Sequence, residues 1–199
     1  MSEQELKNLQ VYIGKRNQNQ TDEQVIEHIK NINDKEPLTE KEWSELVFPC
    51  CNNGYNEILK FILGNIKSFD NVKEYIIHTV YGRNENINEQ RIEVLKELIK
   101  YLKENKKDCL NETMISAGWF GETKIVKFLI ENGADIDYKN QNGLGLPECS
   151  YRAEKQFKDS SLKDFLDKSE FVERFLELSL FYGLSSPLNS EMICIFPYF

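Results

Sequence analysis

The sequence predicts an all-α fold in which short helix pairs stack side by side into a solenoid of about five to six pairs with irregular ends. Three observations predict it. One apolar pattern returns around a central lysine, as EILKFIL (Glu57–Leu63), EVLKELI (Glu93–Ile99) and IVKFLI (Ile125–Ile130), centred on Lys60, Lys96 and Lys127. It extends upstream to QVIEHIK (Gln24–Lys30), with Glu27 at the register point, and more loosely downstream to SLKDFL (Ser161–Leu166), with Lys163. Successive register residues are 33, 36, 31 and 36 residues apart, and Gly54 and Gly121 are 67 apart, close to twice the same period. A helix this short cannot bury its apolar stripe alone in water. Units recurring about every 33 residues solve this by packing each apolar face on the next.

In chain order, QVIEHIK opens the register series. In the next unit ELVFPCCNNGYNE (Glu45–Glu57) places a second helix before the register helix, with Cys50 and Cys51 at small positions and Gly54 in the turn. The unit over Ile76–Ile99 carries RNENINEQ (Arg83–Gln90) where a tight glycine turn is expected, and its polar composition predicts a protruding, solvated loop. TMISAGWFGE (Thr113–Glu122) is the clearest first helix. Ser116, Ala117 and Gly118 allow another helix to approach, and Gly121 makes the turn into IVKFLI. Residues 1–199 form one domain, with repeats over 1–147 and a degenerate repeat and cap over 148–199. The apolar end MICIFPYF (Met192–Phe199) is expected either to cover the flank of the last unit or to form part of a binding surface.

Composition sets the class of partner. The 199 residues are 40% hydrophobic and 12% aromatic, enough for a real core, and the net charge is −8. Phosphate binding needs clustered Lys and Arg, which 33 acidic residues against 25 basic ones do not favour, so no nucleic-acid partner is expected. A basic protein is the better match. The start MSEQELKNLQ has no basic stretch leading into an apolar one, and no run of about 18 apolar residues occurs, so neither export nor a membrane is expected and the cytoplasm is. Cys50, Cys51, Cys109, Cys149 and Cys194 are odd in number and never spaced CxxC, which suits buried, reduced thiols and no metal site.

The unit around Gly121 resembles an ankyrin repeat. Ala117, Gly121, IVKFLI, Gly133, Ala134, Asp135 and Ile136 match the family pattern, with Asp137 in place of the usual Asn. The similarity is strong over about 110–145, good over 45–65 and degenerate elsewhere. The family's TPLH tetrapeptide is absent: its slot holds Glu112, Thr113, Met114 and Ile115, so its hydrogen bonds must be made otherwise.

The resemblance implies a non-catalytic protein-binding module. In such stacks the first helices line a concave surface, and the residues before each glycine turn are exposed on it. These are Asn52, Asn53 and Tyr55 in one unit and Trp119 and Phe120 in another. By the same analogy the hairpin-tip residues Tyr138, Asn140 and Gln141 join that face. Large aromatics at the centre of an interface are the residues that carry most binding energy. A small acidic monomer of this kind is similar to ankyrin-type immunity proteins, which neutralise a cognate bacterial toxin by occlusion. A scaffold or host-interaction protein of a microbe or virus is the alternative.

Chemistry is weighed against this reading and loses. His28 and His78 fall in different units, and a hydrolase would need Cys50 or Cys51 to meet His78. Asp135 with Asp137, and Glu170 with Glu173, read as loop caps or solvated faces rather than acid and base. GLGL (Gly143–Leu146) lacks the third glycine and the strand of a phosphate loop. No catalytic residue, metal or cofactor is expected.

Overall fold

The computed structural model describes residues 1–15, 20–67, 72–81, 87–102 and 105–168. The Met192–Phe199 tail, Cys194, the Glu170 and Glu173 pair and residues 83–86 of the predicted loop lie outside the described residues.

Among the described residues there are eleven helices and no strand. They form five units: α1 (Glu3–Gly14) with α2 (Asp22–Lys35); α3 (Glu40–Glu45) and α4 (Val47–Asn53) with α5 (Asn56–Leu63); α6 (Val72–Thr79) with α7 (Asn88–Ile99); α8 (Lys106–Trp119) with α9 (Thr123–Glu131); and α10 (Leu146–Phe157) with α11 (Ser161–Lys168). First helices pack in series, α1 on α4 on α6 on α8 on α10, and second helices pack in a parallel series, α2 on α5 on α7 on α9 on α11. This is a stacked helical solenoid. The register residues Glu27, Lys60, Lys96, Lys127 and Lys163 fall one on each second helix, and all are exposed.

The apolar spacing explains the core. In α5, Ile58, Leu59, Ile62 and Leu63 are buried on either side of exposed Lys60, and in α7 Val94, Leu95, Leu98 and Ile99 repeat the arrangement around Lys96. Each fully buried side chain of this size contributes roughly 1.5–3 kcal/mol of transfer free energy, so a stripe of four outweighs the weak intrinsic stability of an eight-residue helix. Local signals set the helix starts. Ser2, Thr21 and Thr39 cap α1, α2 and α3, each in a reciprocal box with Glu5, Gln24 and Glu42.

The break between α3 and α4 has a covalent cause. Pro49 has no N–H, so the Glu45 carbonyl one turn back has no helical donor. That carbonyl instead accepts from the Gln10 side chain of α1 at 3.1 Å, which ties unit one to unit two.

The glycine turns are where the sequence places them. Gly54 and Gly121 have φ of 73° and 74°, and the amide just after each reaches back five residues, Tyr55 to the Cys50 carbonyl at 3.1 Å and Glu122 to the Ala117 carbonyl at 2.9 Å. Gly118 permits a close contact between α8 and α10: a Cβ there would lie 3.0 Å from Leu146 and 3.2 Å from Cys149.

One expectation is corrected. Asn88, Glu89 and Gln90 of the predicted protruding loop are the first turn of α7, and Asn88 is buried. The apolar series that continues through Val94 to Ile99 recruits these polar residues into the helix, because Asn88 finds a buried partner in the next unit.

Candidate protein-binding face

Each first helix buries most of its circumference in the stack and leaves one stripe outward. On α8 this stripe is Glu112, Ser116 and then Trp119 with Phe120, at spacings of four and three to four residues that keep one helix face. On α4 it carries Phe48 and Asn52, at the end of α6 His78 and Tyr81, and on α10 Tyr151 and Arg152. Because the first helices stack in series, these stripes lie side by side.

The rings on them meet. Phe48 packs edge-on against His78 with centroids 4.7 Å apart, His78 lies 6.0 Å from Tyr81, and Tyr81 lies 5.4 Å from Phe120. The row thus crosses units two, three and four. Phe48 and Tyr81 are 40% and 49% exposed, so the rings pack on one another while keeping an open side. Trp119 is half-buried; the guanidinium of Arg152 lies over it at 3.9 Å and donates to its carbonyl.

The hairpin tip is docked on the same stripe. Tyr138 donates its hydroxyl to Glu112, and this bond, with burial and the nearby Glu112 and Asp108 charges, pushes the phenol up to about 12. Asn111, unnoticed in the sequence, accepts the Asp135 amide at 2.7 Å and so joins the loop to α8 where the family tetrapeptide is missing. Thr113, which stands in the missing motif's slot, turns its hydroxyl to the Cys109 carbonyl at 2.7 Å.

The other anticipated residues have distinct places. The Asn140 side chain accepts from the Asn142 and Leu144 amides, both at 3.0 Å, and shapes its own loop, whereas Gln141 is exposed at the tip. Asn52 occupies in unit two the position that Trp119 holds in unit four, as measured from Gly54 and Gly121. Asn53 donates to the Pro49 carbonyl at 2.8 Å. Tyr55 sits at the turn edge and packs against the core, at the position of Glu122. Phe48, His78, Tyr81 and Tyr151 were not singled out in the sequence for this face. The four-residue spacing of Phe48 and Asn52 was the available signal, but a single aromatic on a short helix reads equally well as core.

Behind the ring row lies a buried polar cluster. Glu122 and Arg91 are 1% and 3% exposed, with Arg91 Nη1 3.6 Å from Glu122 Oε1. Asn88 donates to the other Glu122 oxygen at 2.6 Å, and Arg91 Nη2 donates to the Tyr81 carbonyl at 3.4 Å. Unit four therefore holds unit three at the point from which the Tyr81 ring projects.

Cys50 and Cys51 do not suit nucleophilic chemistry. Cys50 and Cys51 are fully buried, and burial raises both, Cys51 to about 12. A buried neutral thiol is the opposite of an activated thiolate. His78 spends its ring on Phe48 and Tyr81. Asp135 accepts the Asp137 amide and pairs with Lys107 at 3.1 Å, the behaviour of a loop cap. Among the described residues no His, Cys, Asp and Glu group could hold a metal ion, and no helix is long and apolar enough to cross a membrane.

Comparison with known families finds that residues 114–141, which span the second half of α8, all of α9 and the loop that follows, match the ankyrin repeat. Neither the curated proteins nor the solved structures contain a match to the chain.

Proposed function

We propose that this protein is a non-catalytic inhibitor that captures one basic protein partner on the outward face of its first helices and acts by covering it, as an immunity protein covers its toxin. The ankyrin repeat supports the binding class. The observation that carries the rest is the row of rings from Phe48 through His78 and Tyr81 to Phe120, which keeps an open apolar side across three units. Exposed aromatic surface of that extent is stable at an interface and a liability without one. The net charge of −8 favours rapid encounter with a cationic protein. Trp119, Phe120 and Tyr138 are its anchors, with Asn52, Asn53, Tyr55, Asn140 and Gln141 around them. The protein is taken to act as a cytoplasmic monomer.

Affinity capture from the native organism, with wild type and the Tyr81→Ala/Phe120→Ala variant as paired baits, tests this. A single stoichiometric basic protein that is lost with the variant, and that is toxic when expressed without this chain, is the expected result. A partner held equally by both baits removes the face from the function. A partner with no harmful activity makes the chain a scaffold instead.

A further inference from the structure

The ring row and the acidic charge are not independent features of the face. Each of four successive first-helix stripes carries a carboxylate toward its N-terminal side: Glu45 before Phe48, Glu74 before His78 and Tyr81, Glu112 before Trp119, and Glu148 before Tyr151. Their present ties are light. Glu45 is 3.9 Å from Lys41, Glu112 accepts from Tyr138, and Glu148 accepts the Gly145 amide at 2.9 Å, which leaves each carboxylate further acceptor capacity. Tyr81 follows the end of α6 and lies seven residues beyond Glu74, and seven residues at helical rise span about 10 Å, comparable to the screening length at physiological salt. A cation resting on the rings is therefore still within reach of the carboxylate row.

Both kinds of cation lie over rings elsewhere in the molecule, lysine over Phe61, Phe165 and Tyr151 and arginine over Trp119 and Phe157. At the unit-five end, Arg152 lies over Trp119 at 3.9 Å and donates to its carbonyl, with Phe157 at 5.4 Å, and Lys155 stands 5.5 Å from Tyr151. The shortest of these approaches is the guanidinium on Trp119, the geometry open to a planar, weakly hydrated cation and not to an ammonium. Farther along the row, no cation among the described residues lies over Phe48, Tyr81 or Phe120, although Tyr81 is 49% exposed.

We propose that the Tyr81–Phe120 segment of the row is the seat of an arginine side chain from the partner, stacked on the rings and attracted by the Glu74 and Glu112 carboxylates, in the manner of Arg152 on Trp119. This rests on the reading that a basic protein binds this face, and it names the chemistry of recognition. A lysine-rich partner of the same charge would gain the long-range attraction but not the stacking.

The test uses two synthetic peptides of equal length and charge, one rich in arginine and one in lysine, titrated into the full chain carrying carbon-13 aromatic labels. The arginine peptide is expected to shift the Tyr81 and Phe120 ring resonances and to bind at least about fivefold more tightly than the lysine peptide. Tyr81→Leu, which keeps an apolar side chain, should abolish that preference, and the wild-type ring shifts decide the matter should this variant fail to fold. Equal affinities, or arginine-induced shifts confined to other rings, overturn the proposal. A captured protein partner that binds this face and loses nothing when its arginines are changed to lysine overturns it too, while leaving the protein-binding reading in place; a chain that captures no partner through this face defeats that reading instead.

Discussion

Arg152 of α10 lies over the ring of Trp119 at the end of α8, its guanidinium carbon 3.9 Å from the centroid and Nη1 donating to the Trp119 carbonyl. The pair couples two adjacent units through one side chain. It also takes Trp119, the most conspicuous anchor in the sequence, partly out of solvent. Burial lowers the Arg152 pKa.

Replacing Arg152 with Ala should therefore destabilise the fold by about 1–2 kcal/mol, the combined scale of a partly desolvated cation–π contact and one charged hydrogen bond. Trp43, the other tryptophan, is buried against Phe61 with centroids 5.9 Å apart. A red shift in native tryptophan emission would thus report Trp119. An unchanged spectrum and unchanged denaturation midpoint would show that the stack contributes nothing in solution.

Substitution in the glycine turns should be costly for separable reasons. At Gly121, with φ 74°, Val meets the backbone penalty of a left-handed turn and should lose roughly 1–3 kcal/mol. At Gly54, with φ 73°, even Ala places a Cβ 2.5 Å from that of Gln90 and must also push α7 away. Gly54→Ala should accordingly cost more than Gly143→Ala, where φ is also 73° but nothing lies within 4 Å of an added Cβ, by at least about 1 kcal/mol, in line with typical overpacking penalties. Thermal melts followed by circular dichroism compare them; equal losses would mean that the turn does not press on α7.

Breaking the buried pair should be worse than removing it. Glu122→Ala strands the Arg91 cation and should cost about 3–5 kcal/mol, whereas Arg91→Met with Glu122→Leu should recover part of that. Because Arg91 also holds the Tyr81 carbonyl, the single variant should broaden or move the Tyr81 ring resonance. Urea titrations of the three proteins decide the first point, and a double variant no better than the single would refute it.

Stability should fall at both ends of the pH range. Hydrogen bonds hold the Glu3, Glu5, Glu42, Glu89 and Asp135 carboxyls below their usual values, from Lys7, Ser2, Thr39, Lys124 and Lys107 respectively. The unfolded chain then binds protons more readily, so this stability is complete above the ordinary carboxylate range and is lost as pH falls below it. Tyr138 runs the other way. Its folded pKa is raised to about 12, so its contribution is complete below the ordinary tyrosine value and disappears as pH rises through that window. Tyr138→Phe should flatten the alkaline limb of a pH series of urea midpoints, and an unaltered limb would show that the Glu112 bond is not maintained in solution.

How the sequence and the tertiary structure divide the determination of this protein follows from the range of each interaction. Helix class, unit period and turn positions were readable because they depend on neighbours within one turn: the Lys60, Lys96 and Lys127 register stays exposed, and Gly54 and Gly121 have the left-handed φ that their turns require. The start of α7 at Asn88 was not readable, since it depends on Glu122 of the next unit, 34 residues away. The same limit applied to the candidate face. The sequence could propose Trp119 and Phe120 from their place before a glycine, but whether a ring is covered depends on which unit stacks beside it. Stacking laid Arg152 on Trp119 and brought Phe48, His78 and Tyr81 into line with Phe120, because α4, α6, α8 and α10 pack in series and project neighbouring stripes to one side.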